Sequence, residues 1–111
     1  PTFLLDALKE RVLLGDGAMG TQLQDAGLES GHCGEAWNLD HPDRVLGIQR
    51  RYAEAGSDVI LTNTFGACRI MLDRHGDGAR TADINRASVA IAREALGGRG
   101  YVLGDIGPSA G

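Results

Sequence analysis

With 111 residues, 42% of them hydrophobic and 23% charged, the chain has the composition of an ordinary globular protein and room for one hydrophobic core. Its formal net charge is -4 and its 11 basic residues are scattered, only Arg50-Arg51 being adjacent, so no nucleic-acid partner is expected. No apolar run approaches the roughly 18 residues of a membrane span and no secretory leader pattern is visible, so no membrane partner is expected and the expected compartment is cytoplasmic.

Thr2 stands as an N-cap before Phe3 to Arg11, where Leu4, Leu5 and Leu8 share one face at helical spacing; a short lead-in helix is expected there. Val12 to Leu14 is too continuously apolar to have a wet face and reads as the first strand of a buried parallel sheet. It runs into Gly15-Asp16-Gly17-Ala18-Met19-Gly20, a carboxylate set between glycines. From Gly27 to Asp40 periodicity fails, so a long connection is expected, with the lone Trp37 covering a rim of the fold rather than stacking on a ligand.

Pro42 suits a first helical turn, and Val45, Ile48, Tyr52 and Ala55 then repeat at i, i+3, i+7 and i+10 until Gly56 supplies a left-handed stop. Tyr52 is assigned to the core. Asp58 to Thr62, rich in β-branched residues, is the second strand, so the order is β-α-β with a right-handed crossover. A short helix is expected over Ala67 to Arg74, ended by His75-Gly76. Thr81 then caps a longer one through Ile84, Ala87, Ile91 and Ala95, closed by Gly97-Gly98. Tyr101 to Gly104 is the third strand.

Three parallel strands with covering helices, each strand ending in a polar loop, predict an α/β fold: the N-terminal part of a (β/α)8 TIM barrel with its site at those strand ends. A complete barrel takes about 250 residues, so residues 1–111 are expected to be an incomplete portion of one domain with open sheet edges.

Gly15, Gly17 and Gly20 match G-x-G-x-x-G, the dinucleotide fingerprint. That reading requires a second strand and an acidic ribose ligand about 20 residues on, whereas Glu35 to Asp40 contains no apolar run and Asp16 would repel a pyrophosphate. An amino acid suits the turn better, its ammonium on Asp16 and its carboxylate on the backbone N–H groups that follow. The bland alternative is that Asp16 fixes the turn and the glycines merely bend it. Asp105, after the third strand, could face the same site or simply fix its loop.

The motifs Asp16-Gly17-Ala18-Met19-Gly20-Thr21, Trp37-Asn38-Leu39 with His41-Pro42-Asp43, Tyr52-Ala53-Glu54-Ala55-Gly56-Ser57-Asp58-Val59-Ile60, Thr62-Asn63-Thr64-Phe65 and Gly107-Pro108 resemble, in order and spacing, the start of the homocysteine S-methyltransferase family. The family includes cobalamin-dependent and betaine-dependent members. The resemblance implies a TIM barrel that binds homocysteine, with zinc turning the substrate thiol into a thiolate that takes a methyl group to give methionine. It also implies substrate-binding roles for Asp16 with the ammonium, for the Gly17 and Ala18 backbone with the carboxylate, and for Thr62, Asn63 and Thr64 around them. The zinc cysteines of the family come from later loops, so the zinc ligands are expected outside this chain, no catalytic residue is assigned within it, and alone it is expected to be inactive. The resemblance leaves the methyl donor open: cobalamin, reached through a partner domain, is one option it implies, with a methyl donor or a corrinoid or folate module as the partner.

Cys33 and Cys68 match no family ligand position and are expected to be free thiols, with His32 and His75 on the surface rather than joining them on a metal. Two other functions stay open: a truncated non-catalytic module that binds a small molecule or another subunit, and a different barrel enzyme using Asp16 and Asp105 as acid and base.

Overall fold

The computed structural model describes residues 2–108 and shows a mixed α/β chain. In order it runs α1 (Leu4–Glu10), α2 (Gly20–Asp25), α3 (Trp37–Asp40), α4 (Pro42–Glu54), β1 (Val59–Leu61), α5 (Arg69–Asp73), a 3-10 turn (Gly78–Arg80), α6 (Thr81–Leu96) and β2 (Tyr101–Leu103). The strands are parallel and in register, Val59 opposite Tyr101 and Leu61 opposite Leu103, so α5, the 3-10 turn and α6 form the crossover that such pairing demands. Among the described residues no helix is long and apolar enough to cross a membrane.

The two longest helices carry the packing. From α4, Val45 and Ile48 meet Leu23, Trp37 and Ile91 in one cluster, while Ile60 of β1 packs with Ala92 and Leu96 of α6 in a second. A third joins Ala67, Leu72 and Ile84 under the α5 segment. Each fully buried branched side chain of this kind contributes about 1.5–3 kcal/mol. The stripe on α6 matches its spacing in the sequence, and α4 matches over Val45 and Ile48; Ala55, however, is exposed, and a polar residue, Gln49, is fully buried on the face expected to be apolar.

The first of the three expected strands departs from its expectation. Val12 to Leu14 forms no strand; only Gly15 bridges to Val59 in parallel sense, so the regular sheet has two strands and a single-residue third rung. Val12 is 93% and Leu14 57% exposed, contrary to a run buried on both faces. The reason lies in the hydrogen bonding at either end. The Leu14 carbonyl accepts from both Asp58 N–H, at 2.7 Å, and Val59 N–H, at 3.1 Å. The Leu14 N–H, however, donates to the Asp58 carboxylate at 2.9 Å instead of to a main-chain carbonyl. That N–H, and then the Arg11 guanidinium at 3.2 Å, hold the Asp58 carboxyl below its ordinary range.

Other local expectations need amending. Phe3, not Thr2, is the N-cap of α1, and the Thr2 carbonyl accepts from the Tyr101 hydroxyl at 2.5 Å. The helix buries Ala7 and leaves Leu5 and Leu8 exposed. Arg80 precedes α6, whose first residue Thr81 donates its hydroxyl back to the Gly78 carbonyl at 2.6 Å instead of capping forward. The long connection contains α3, and its Trp37 is a core residue with the Arg44 guanidinium 5.0 Å from its ring centroid. Gly56, Gly76 and Gly97 do end α4, α5 and α6 with positive φ.

Gly100 is required where α6 turns into β2. Its φ is +70°, and a Cβ there would lie 2.3 Å from the Asp58 carbonyl oxygen, which itself accepts the Tyr101 N–H at 2.8 Å. Gly100→Ala is expected to lower stability by about 1–3 kcal/mol through backbone strain. Urea unfolding followed by circular dichroism measures this, and an unchanged midpoint would show that the turn tolerates a side chain.

Candidate functional site

The C-terminal end of β1 is where the chain gathers its polar loops. Gly15 is the last residue of the first run to pair with β1, and beyond it the main chain leaves the sheet. The Leu61 peptide would otherwise lose its partners on that side. Two side chains take the place of the departed strand: the Asp16 carboxylate accepts the Leu61 N–H at 3.3 Å, and the Gln49 amide donates to the Leu61 carbonyl at 3.0 Å. The gap so opened is a cleft of about 130 Å³ lined by Asp16, Gly17, Met19, Leu61, Thr62, Asn63, Thr64, Phe65 and Asp105. It contains every candidate substrate-binding residue except Ala18.

The hydroxyls in this cleft have an assigned direction. Thr64 Oγ1 donates to the Asp105 carbonyl at 2.7 Å, which uses its only proton, so in the 2.7 Å contact between the two threonine hydroxyls Thr62 is the donor. Thr62 Oγ1 in turn accepts the Asp105 N–H at 3.1 Å. The loops after β1 and β2 are thereby tied together, and it is the Asp105 backbone that does the loop fixing while Asp105 also lines the cleft. Both hydroxyls retain acceptor capacity only.

Asn63 points its amide away from this task. Its two N–H donors go to the Gly34 carbonyl at 3.0 Å and the Asn38 side-chain oxygen at 3.1 Å, and Asn38 returns bonds to the carbonyls of Asn63, at 2.9 Å, and Ile84, at 3.3 Å. Both asparagines are buried, so this paired network fixes the Thr62–Thr64 segment against α3 and α6. Ala18, the candidate outside the lining, is held through its carbonyl, which accepts the Tyr52 hydroxyl at 2.7 Å.

Desolvation pushes the Asp16 carboxyl above its ordinary value of 3.8, opposed by N–H donation from Leu61 and from its own backbone and reinforced by the charge of Asp105. The cleft is thus rich in acceptors and short of cations, a surrounding that favours a positively charged guest. Gln49 is a participant that lay outside the motifs, and Met19, Phe65 and the Tyr52 hydroxyl are participants to which the motifs assigned no role. Gln49 carried a signal, being a polar residue four positions after Val45 on a buried stripe.

A larger cleft, of about 420 Å³, is lined by residues that include His32, Cys33, Asp40, His75 and Asp77. Arg80 already engages Asp40 at 2.8 Å and Asp77 at 2.8 Å, and its hydrogen bonds lower the Asp40 pKa. Among the described residues no group of three His, Cys, Asp or Glu side chains is placed to hold a metal, so these residues do not fit a zinc site. Cys33 and Cys68 are free thiols, and burial pushes the Cys33 thiol up.

This α/β framework has counterparts among known proteins. The family model for homocysteine S-methyltransferase matches residues 13–111. Methionine synthase from Mycobacterium tuberculosis is 43% identical and that from Mycobacterium leprae 41% identical, each over 96% of this chain and 10% of the relative. The metallated form of the homocysteine methyltransferase MmuM from Escherichia coli superposes with a TM-score of 0.78 at 25% identity, over 96% of this chain and 41% of that one. The chain belongs to the homocysteine S-methyltransferase family. It spans about a tenth of the length of these methionine synthases.

The raised carboxyl has a measurable consequence. Between 3.8 and its raised native value, folded Asp16 holds its proton more tightly than unfolded Asp16, so its contribution to stability is lost as pH rises through that window. Subtracting the stability–pH curve of Asp16→Asn from that of the wild type is expected to leave a component that falls with rising pH. A difference curve that is flat, or that rises, would contradict the desolvation of Asp16.

Proposed function

We propose that this chain is the homocysteine-binding part of an S-methyltransferase that converts homocysteine to methionine, and that it forms the N-terminal part of a (β/α)8 barrel spanning residues 1–111 here. The observation that carries the reading is the acceptor-rich cleft around Asp16. One Asp16 oxygen is engaged by Leu61 and the other has capacity for an ammonium. Gly17 and Ala18 then offer backbone N–H groups to the carboxylate of the same amino acid. Thr62 and Thr64 present lone pairs, and Asn63 braces the segment that bears them. Exposed Val12, Leu14 and Ile106 are explained on this reading as sheet surface that further β/α units would cover.

In a complete enzyme of this kind, zinc held by residues outside this chain would supply a thiolate nucleophile from the substrate thiol, and the methyl group would come from a donor or from a corrinoid or folate module. The residues here bind and orient: Asp16 holds the amino acid's charged end, and the threonine relay keeps the loops after β1 and β2 in one arrangement. A small-molecule cleft within a cytoplasmic transferase accords with the family and needs neither membrane nor nucleic acid.

Calorimetric titration of the chain with homocysteine tests the reading directly. Asp16→Ala is expected to weaken binding by about 10- to 100-fold, the range of a charge-assisted hydrogen bond of about 1.5–3 kcal/mol. Unchanged affinity would remove Asp16 from the site. An ammonium beside Asp16 favours its ionised form, so just above pH 3.8 binding should also release protons. Titrations in buffers of differing ionisation enthalpy read that release, and its absence would argue that the ligand's cation lies elsewhere.

A further inference from the structure

We propose that Tyr52 is a positioning residue for the substrate carboxylate, an inference that rests on the amino-acid reading of the cleft and names a side chain that does not itself line it. Tyr52 stands one helical turn after the fully buried Ile48 on α4, and its ring packs against both the Ile48 and the Ile60 clusters. It is therefore mounted on one of the two helices that carry the packing. From there its hydroxyl donates to the Ala18 carbonyl at 2.7 Å.

That bond fixes a peptide plane. The described backbone contains no cis peptide, so the Ala18–Met19 unit is trans and its N–H points opposite to its C=O. With the carbonyl drawn toward α4, the Met19 N–H is turned the other way. Gly17 and Met19 line the cleft, whereas Ala18 and Tyr52 do not. Tyr52 thus keeps a carbonyl dipole that would repel a carboxylate away from the guest, and leaves the donor edge of the same peptide facing away from the helix.

The ring itself completes the arrangement. A Cβ at Gly17 would lie 2.9 Å from Tyr52 Cε1 and 2.9 Å from the hydroxyl oxygen, so the glycine is what allows the ring to press against this turn. The sequence pairs a residue without a side chain with an aromatic 35 positions later because the two occupy adjoining space.

Tyr52→Phe keeps the ring and removes the hydroxyl. The chain and this variant would be titrated with homocysteine and with 3-aminopropane-1-thiol, which carries the same thiol and ammonium but no carboxylate. The variant is expected to bind homocysteine about 5- to 10-fold more weakly, the value of one hydrogen bond, and the aminothiol as tightly as the wild type does. Equal weakening toward both ligands, or no weakening toward homocysteine, would overturn the positioning role. Failure of the wild-type chain to bind homocysteine at all would overturn the amino-acid reading and this inference with it.

Discussion

The Leu61 peptide is the point on which the candidate site depends. In an uninterrupted parallel ladder its N–H and C=O would both be satisfied by a neighbouring main chain, and the sheet would be closed at that level. Here the neighbour departs after Gly15, and Asp16 and Gln49 supply an acceptor and a donor in its place. An unpaired peptide at the floor of a cleft would cost about 1–3 kcal/mol per group. Two side chains remove that cost, which is why the sheet can open without unravelling. Gln49 is fully buried, and its oxygen has no partner among the described residues, so the substitution is tight on one side and incomplete on the other.

Rigidity around this opening comes from polar contacts more than from apolar ones. The three-residue strands are short, and the segment after β1 would be free to move if only van der Waals contact held it. Asn38 and Asn63 make four hydrogen bonds that reach Gly34, Ile84 and each other, all within a buried setting where an alternative arrangement would leave amides unpaired. The Thr62–Thr64–Asp105 relay extends the same constraint to the loop after β2. The cleft between two loops and one turn is thereby tied together by hydrogen bonds, which would limit the ordering cost of binding a guest.

What the sequence disclosed followed from which physical rule applied where. Helical periodicity located α4 and α6 because their stripes face a continuous core, and the glycine stops marked their ends for steric reasons that hold in any context. The motif around Asp16 and the run Thr62-Asn63-Thr64 pointed to residues that the fold brings into one cleft. The same reasoning failed at Val12 to Leu14, because an apolar run reports what a strand needs as neighbours, and the described residues provide a neighbour on one side only. It missed Gln49, and at Tyr52 it found the core packing of the ring but not the tertiary hydrogen bond of the hydroxyl. Spacing within a helix shows which face is buried but not which main-chain atom a polar side chain on that face will meet.

Asp16 also links the stability of the fold to the charge it carries. Its carboxyl is desolvated, and the charge of Asp105 adds to the cost of ionising it, so the anion is held less favourably at the mouth of the sheet than in water. A neutral residue would be easier to fold around. The carboxylate nevertheless accepts the Leu61 N–H, and a cationic guest placed against it would relieve the desolvation that raises its pKa. By linkage, an ammonium bound beside the carboxylate would return free energy that its ionisation removes. Selection for a cation and against a neutral or anionic guest would then follow from a group whose ionised form the fold disfavours.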